Sequence, residues 1–89
     1  MTEFEKRGEE LRSAAKRLVL EFMLANEDCK AGREGIRQAK IFRACGFDFG
    51  DLPKANSTQQ QYYVVAILHA LEAEGKVEQI EAQGPWRLK

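Results

Sequence analysis

Ile67-Leu-His-Ala-Leu-Glu-Ala-Glu-Gly-Lys-Val77 is the stretch that decides how this chain folds. Ile67, Leu68 and Leu71 continue from Val64 at helical spacing, the pattern stops at Gly75, and from Val77 the apolar residues change period. A helical pattern that meets a glycine and gives way to alternation predicts a helix, a left-handed cap and a strand. Upstream, Ser57 followed by Gln60 is a capping box, so the third helix of the chain is expected over about 58–74. Downstream, Val77 and Ile80 flank Ala82-Gln83-Gly84 on one side and Trp86 and Leu88 on the other, which predicts a β-hairpin over 76–89. A two-residue turn would set Ile80 across from Arg87, and a three-residue turn ending in Gly84 sets it across from Trp86. The apolar pairing favours the latter.

The other end of the chain opens with Thr2 and Glu5, a second capping box, and a first helix is expected over about 3–26. Phe4, Gly8, Leu11, Ala15, Leu18, Phe22 and Ala25 recur at alternating spacings of four and three and form one apolar stripe. Leu20 and Leu24 lie off it, as a second strip that a monomer leaves partly exposed and that is a candidate dimer interface. Asn26, Glu27 and Asp28 end the pattern, and Gly32 and Gly35 mark a polar connection. Lys40-Ile-Phe-Arg-Ala-Cys-Gly46 then predicts a short second helix, about 38–45, with Ile41, Ala44 and Cys45 inward, Gly46 as the left-handed cap and Phe47 folding back on the core. Asp48 to Asn56 carries Gly50, Pro53 and Asn56, which is turn chemistry.

With 89 residues, 44% hydrophobic and 31% charged, the chain fits one folded α+β domain over 1–89. It has no apolar run of membrane-spanning length and no basic-then-apolar leader, so a cytoplasmic protein with no membrane contact is expected. Cys29 and Cys45 have no second pair that would complete a redox or zinc motif, and reduced thiols are the expectation. One histidine, His69, cannot assemble a nucleophile, a base and an orienting residue. The expected protein is therefore not an enzyme and uses no metal and no cofactor. Asp48-Phe49-Gly50 matches a kinase metal-binding triplet by chance, because 89 residues leave no room for the rest of a kinase site. Formal net charge is zero, from 14 basic and 14 acidic side chains, but residues 29–56 hold six cations against three anions. That local excess matters more than the sum.

Helix, short helix ending in Lys-Ile-Phe-Arg-Ala-Cys-Gly-Phe, longer helix and then Leu-x-x-Leu-Glu-x-x-Gly-x-Val leading into a hairpin together resemble the winged helix-turn-helix superfamily over about residues 10–89. The resemblance implies a three-helix fold with a C-terminal β-hairpin wing. It also implies DNA binding, with the second helix across the backbone, the third in the major groove and the wing on an adjacent groove. The connection Phe47 to Asn56 is longer than the tight turn of that pattern. On this reading Arg33, Arg37, Lys40 and Arg43, with Arg87 and Lys89 from the wing, are candidate phosphate contacts. Ser57, Thr58, Gln59, Gln60 and Tyr63, at the start of the third helix, are candidate base contacts.

Two functions follow. One is a small transcriptional regulator, or the DNA-binding part of one, that binds double-stranded DNA and pairs as a homodimer through helix 1. The other is a winged-helix module whose partner is a protein. From Ser57 to Gly75 there is no Lys or Arg, while Glu72 and Glu74 are present, and this favours the second. Trp86 is expected to anchor the hairpin in the core, and His69 to sit on the surface or rim.

Overall fold

A computed structural model describes residues 1–47 and 58–89, with the side chains of 58–62 excepted. In chain order it contains α1 (Glu3–Ala25), a single 3-10 turn (Glu27–Cys29), α2 (Gln38–Ala44), α3 (Thr58–Ala73), β1 (Val77–Gln79) and β2 (Trp86–Leu88). Three helices followed by a two-stranded antiparallel sheet make an α+β layout.

Local chemistry accounts for the helix ends. The Thr2 hydroxyl oxygen accepts from the Glu5 N–H at 3.1 Å, which satisfies one of the open donors at the start of α1. The Glu5 carboxylate in turn accepts from the Thr2 hydroxyl at 3.1 Å. α2 and α3 both end in a left-handed glycine, Gly46 (φ 74°) and Gly75 (φ 75°). In each case the residue after the glycine donates to a carbonyl five positions back, Phe47 to Phe42 at 3.1 Å and Lys76 to Leu71 at 3.0 Å. This doubly bonded cap needs a positive φ, which costs glycine nothing. At α2 it also returns Phe47 to the core, 6.1 Å from the Phe42 ring and 5.8 Å from that of Tyr63.

The core is built from Ala15, Val19 and Met23 of α1, Ile41 and Phe42 of α2, Val64, Ile67, Leu68 and Leu71 of α3, and Val77 and Trp86 of the hairpin, joined by Cys29 and Ile36. All four apolar residues expected to face inward from α3 do so. α1 differs from its predicted stripe. The buried set Ala15, Val19 and Met23 lies about 60° round the helix from that stripe, at 100° per residue. Leu18 is therefore left 41% exposed, and Ala25 is exposed. The rest of the stripe, Phe4 to Leu11, lies on a part of α1 where residues 1–14 are exposed apart from half-buried Gly8. A 3.5-residue repeat describes a helix face but does not say where the rest of the body meets it. In α2, Ile41 is buried as expected and Cys45 half-buried, but Ala44 is exposed and Phe42 takes the inward place.

The hairpin register also differs. Val77 pairs with Leu88, Glu78 with Arg87 and Gln79 with Trp86, so Ile80 faces Pro85 and donates to its carbonyl at 2.9 Å. The loop is four residues, 81–84, rather than three, and its positive φ values fall at Glu81 (147°) and Gln83 (61°) instead of Gly84. Two causes act together. Pro85 lacks an N–H and suits the end of the ladder, where no donor is needed. Trp86 is bonded on its other edge, where Ile36 and Trp86 form an antiparallel bridge with both N–H groups donating at 2.8 Å. β2 therefore lies between β1 and the lone bridge residue Ile36, inside what the sequence presents as a polar connection.

That connection is a further departure from expectation. Asn26 caps the 3-10 turn through its side chain, which accepts from the Asp28 N–H at 3.1 Å, and Cys29 is fully buried behind it. Gly32 (φ 80°) and Gly35 (φ 79°) then turn the chain back to the sheet. At Gly35 the backbone passes so close to the hairpin that a Cβ would stand 2.7 Å from the Trp86 carbonyl oxygen and 2.9 Å from Ile80 Cδ1.

Candidate nucleic-acid interface

Because Ile36 is pinned to β2, the next residue, Arg37, enters α2 beside the hairpin loop, and its guanidinium Nη1 donates to the Gln83 carbonyl at 3.4 Å. The start of α2, one side of α3 and the hairpin loop enclose a groove of about 510 Å³, whose walls include Arg37, Gln38, His69, Gln79 and Gln83. Its polar groups are amides, an imidazole and one guanidinium. Such groups donate to phosphates, and the amides and imidazole also exchange hydrogen bonds with base edges. Gln38, Gln79 and Gln83 were not legible as site residues, because only the observed hairpin register and the bridge bring them together. Gln79 also closes the loop by donating from Nε2 to the Gly84 carbonyl at 3.1 Å.

The six cations expected to touch phosphates fall into distinct settings. Lys40 and Arg43 are exposed on α2, and Arg37 is exposed as its N-cap residue. Arg33 does not share their helix, since residues 30–36 are not helical, so the helical spacing of 33, 37 and 40 is not realised. Arg33 is paired with Glu27 at 3.1 Å, and Lys30 holds the other oxygen of that carboxylate at 3.1 Å. Lys30, followed by Arg33, keeps the Glu27 carboxyl below its ordinary range. Two cations on one anion leave a local charge of one. Arg87 is built into the fold: its Nε donates to Glu78 at 2.7 Å and its Nη1 to the Arg33 carbonyl at 2.8 Å. Lys89 is exposed.

Of the candidate base contacts, Ser57 lies outside the described residues, as do the side chains of Thr58, Gln59 and Gln60. Tyr63 is 42% exposed, with its ring edge against Phe47. His69 is exposed, with Nδ1 3.1 Å from the Glu72 carboxylate and its ring set edge-on to Trp86 at 5.2 Å, the rim position expected of it. The candidate dimer residues differ: Leu20 packs partly against the core and Leu24 is 57% exposed. They share a shallow apolar groove with Ala31 and Leu88, rimmed by Lys30, Lys76 and Lys89.

Both thiols are free. Burial, then the Asp28 charge, pushes the Cys29 thiol up to about 11, and burial raises Cys45 as well, so both are protonated near neutral pH and poorly nucleophilic. Among the described residues no three His, Cys, Asp or Glu side chains are placed to hold a metal ion, and no helix is long and apolar enough to cross a membrane. Comparison with protein-family models, with curated proteins and with solved structures finds no match to this chain.

Proposed function

We propose that this chain is a winged-helix domain that binds double-stranded DNA, with α2 along the phosphate backbone and the hairpin as the wing. The observation that carries this reading is the contact between Arg37 and the Gln83 carbonyl, which makes the cationic start of α2 and the tip of the hairpin parts of one face. The order helix, bridge residue, helix, helix, hairpin supports the winged-helix assignment. Arg37, Lys40 and Arg43 act on phosphates, while the groove amides of Gln38, Gln79 and Gln83 adapt to whatever they meet.

The domain acts as a modest electrostatic binder. Three phosphate contacts predict a slope of roughly −3 for the logarithm of affinity against the logarithm of salt, at about −0.9 per contact. Fluorescence anisotropy of a labelled duplex measures it. Arg37→Ala with Lys40→Ala should make the slope shallower by about two and leave sequence preference unchanged. A double variant that binds as tightly as the parent at every salt concentration would remove α2 from the interface.

A second reading, a winged-helix module with a protein partner, is favoured by the absence of Lys and Arg from Ser57 to Gly75 and by the hairpin, which carries Glu78 and Glu81 and whose only arginine is held by Glu78. If no duplex binds in ~50 mM salt at ~100 μM protein, far above the range of specific complexes and at the weak end of the non-specific range at physiological salt, this second reading replaces the first.

A further inference from the structure

The N-terminal half of α1 has nothing to pack on. Residues 3–14 extend about 18 Å at 1.5 Å per residue, and all are exposed except half-buried Gly8. Phe4 is 80% exposed, Leu11 68% and Leu18 41%, and these three stand seven residues apart on one line of the helix. Gly8 lies beside that line. A glycine inside an exposed helix costs about 1 kcal/mol relative to alanine, yet a Cβ there would meet nothing within 4 Å, so the isolated chain has no packing reason for it.

We propose that this line is a self-association surface on which α1 pairs with α1 of a second copy, antiparallel, with Leu11 of each copy seated over Gly8 of the other. The spacings of Phe4, Gly8, Leu11, Ala15 and Leu18, alternately four and three, are those of a coiled-coil seam. In the register that sets Leu11 over Gly8, Phe4 reaches the exposed Leu18 of the second copy, past Ala15, which is buried in its own core.

Charge fixes the direction. Glu5 and Arg12 flank the seam on one side and Arg7 flanks it on the other. In the antiparallel register Glu5 lies beside Arg12 of the second copy, twice by symmetry. A parallel pair instead sets Arg7 beside Arg12, also twice, and like charges at these positions select against that arrangement. The antiparallel pair also carries the two bodies at opposite ends of the joined helices. The other exposed apolar site, the Leu20 and Leu24 groove, is a poor partner for itself, because a two-fold axis there would turn Lys30, Lys76 and Lys89 towards their own copies.

Sedimentation velocity of the full chain from ~1 to ~100 μM tests this. The parent should shift to a dimer across that range, and Leu11→Glu should be a monomer throughout with its far-UV circular dichroism preserved, because Leu11 is 68% exposed. Arg12→Glu should weaken the dimer by about tenfold, and Glu5→Arg combined with Arg12→Glu should restore it. Leu24→Ser should leave it intact. A parent that stays monomeric at ~100 μM overturns the proposal, as does a dimer that survives Leu11→Glu or is lost in Leu24→Ser. A dimer strengthened by Arg12→Glu overturns the antiparallel arrangement.

Discussion

Trp86→Ala should be the most damaging single change in the hairpin. Trp86 is fully buried and is the largest side chain in the core. Its backbone bonds Ile36, its neighbours pair with β1, and its ring meets His69. Truncating a buried tryptophan to alanine costs about 3–5 kcal/mol. The whole stability of a chain of 89 residues is about 4–13 kcal/mol at the usual value per residue, so the variant loses from about a quarter to all of it. A second variant separates packing from polarity. The indole Nε1–H is buried without a partner, and leaving such a group unsatisfied costs about 1–3 kcal/mol. Trp86→Phe loses volume but also removes that donor, and its net loss should stay below about 1.5 kcal/mol. Urea unfolding followed by far-UV circular dichroism reads both. A loss under about 1 kcal/mol for the alanine variant would show that Trp86 is not the closure of the core, and the hairpin register built on it would fall with it.

Gly35→Ala should cost about 1–3 kcal/mol by thermal or urea unfolding, because it combines a positive φ with a Cβ pressed against the Trp86 carbonyl. Stability should also fall at high pH. The Cys29 thiol is raised from 9.0 to about 11, so its contribution is complete below pH ~9 and is lost as pH rises towards 11, to a total of about 2–3 kcal/mol. Cys29→Ala should flatten that limb of a stability profile measured from pH ~7 to ~11, and an unchanged limb would assign the loss to other groups. On the DNA reading, Glu78→Gln should release Arg87 from its ion pair and steepen the salt slope by about one, and an unaltered slope would mean that Arg87 stays away from phosphate.

The parts of this fold that were legible in the sequence are those fixed by neighbours along the chain. Thr2 caps α1, Gly46 and Gly75 close α2 and α3, and the inward face of α3 follows from its own periodicity. What escaped depends on residues far apart. The true inner face of α1 is set by where α3 and the hairpin arrive, so a stripe that is regular in sequence is mostly free surface, with only Ala15 buried and Phe22 packed partly against the core. Ile36 stands alone between Gly35 and Arg37, and a single apolar residue has no period to betray it. Its role appears only through Trp86, fifty positions later. The hairpin register failed for the same reason, since matching Ile80 to Trp86 ignored a tryptophan already bonded on its other edge. Of the candidate site, the cations of α2 were visible as charge, whereas the groove amides were not, because glutamine carries no pattern of its own.

The pairing of charges shows how a chain with no net charge can still concentrate cations in one place. Lys30 and Arg33 share Glu27, Arg87 is held by Glu78, and Lys16 and Lys76 both meet Glu74 where α1 passes the end of α3. Each of these pairs is at least partly exposed, and exposed pairs contribute little to stability. Their effect is on where charge remains. The cations of these pairs are matched at short range, and fields from matched pairs decay within a Debye length of roughly 8 Å in physiological salt. Arg37 and Lys40 meet no carboxylate among the described residues, so the excess that residues 29–56 show in sequence narrows in space to the start of α2, next to the hairpin loop. On the DNA reading, a small focused charge of this kind would orient the domain on a polyanion without binding it tightly, and the rest of the affinity would have to come from a second copy or from α3.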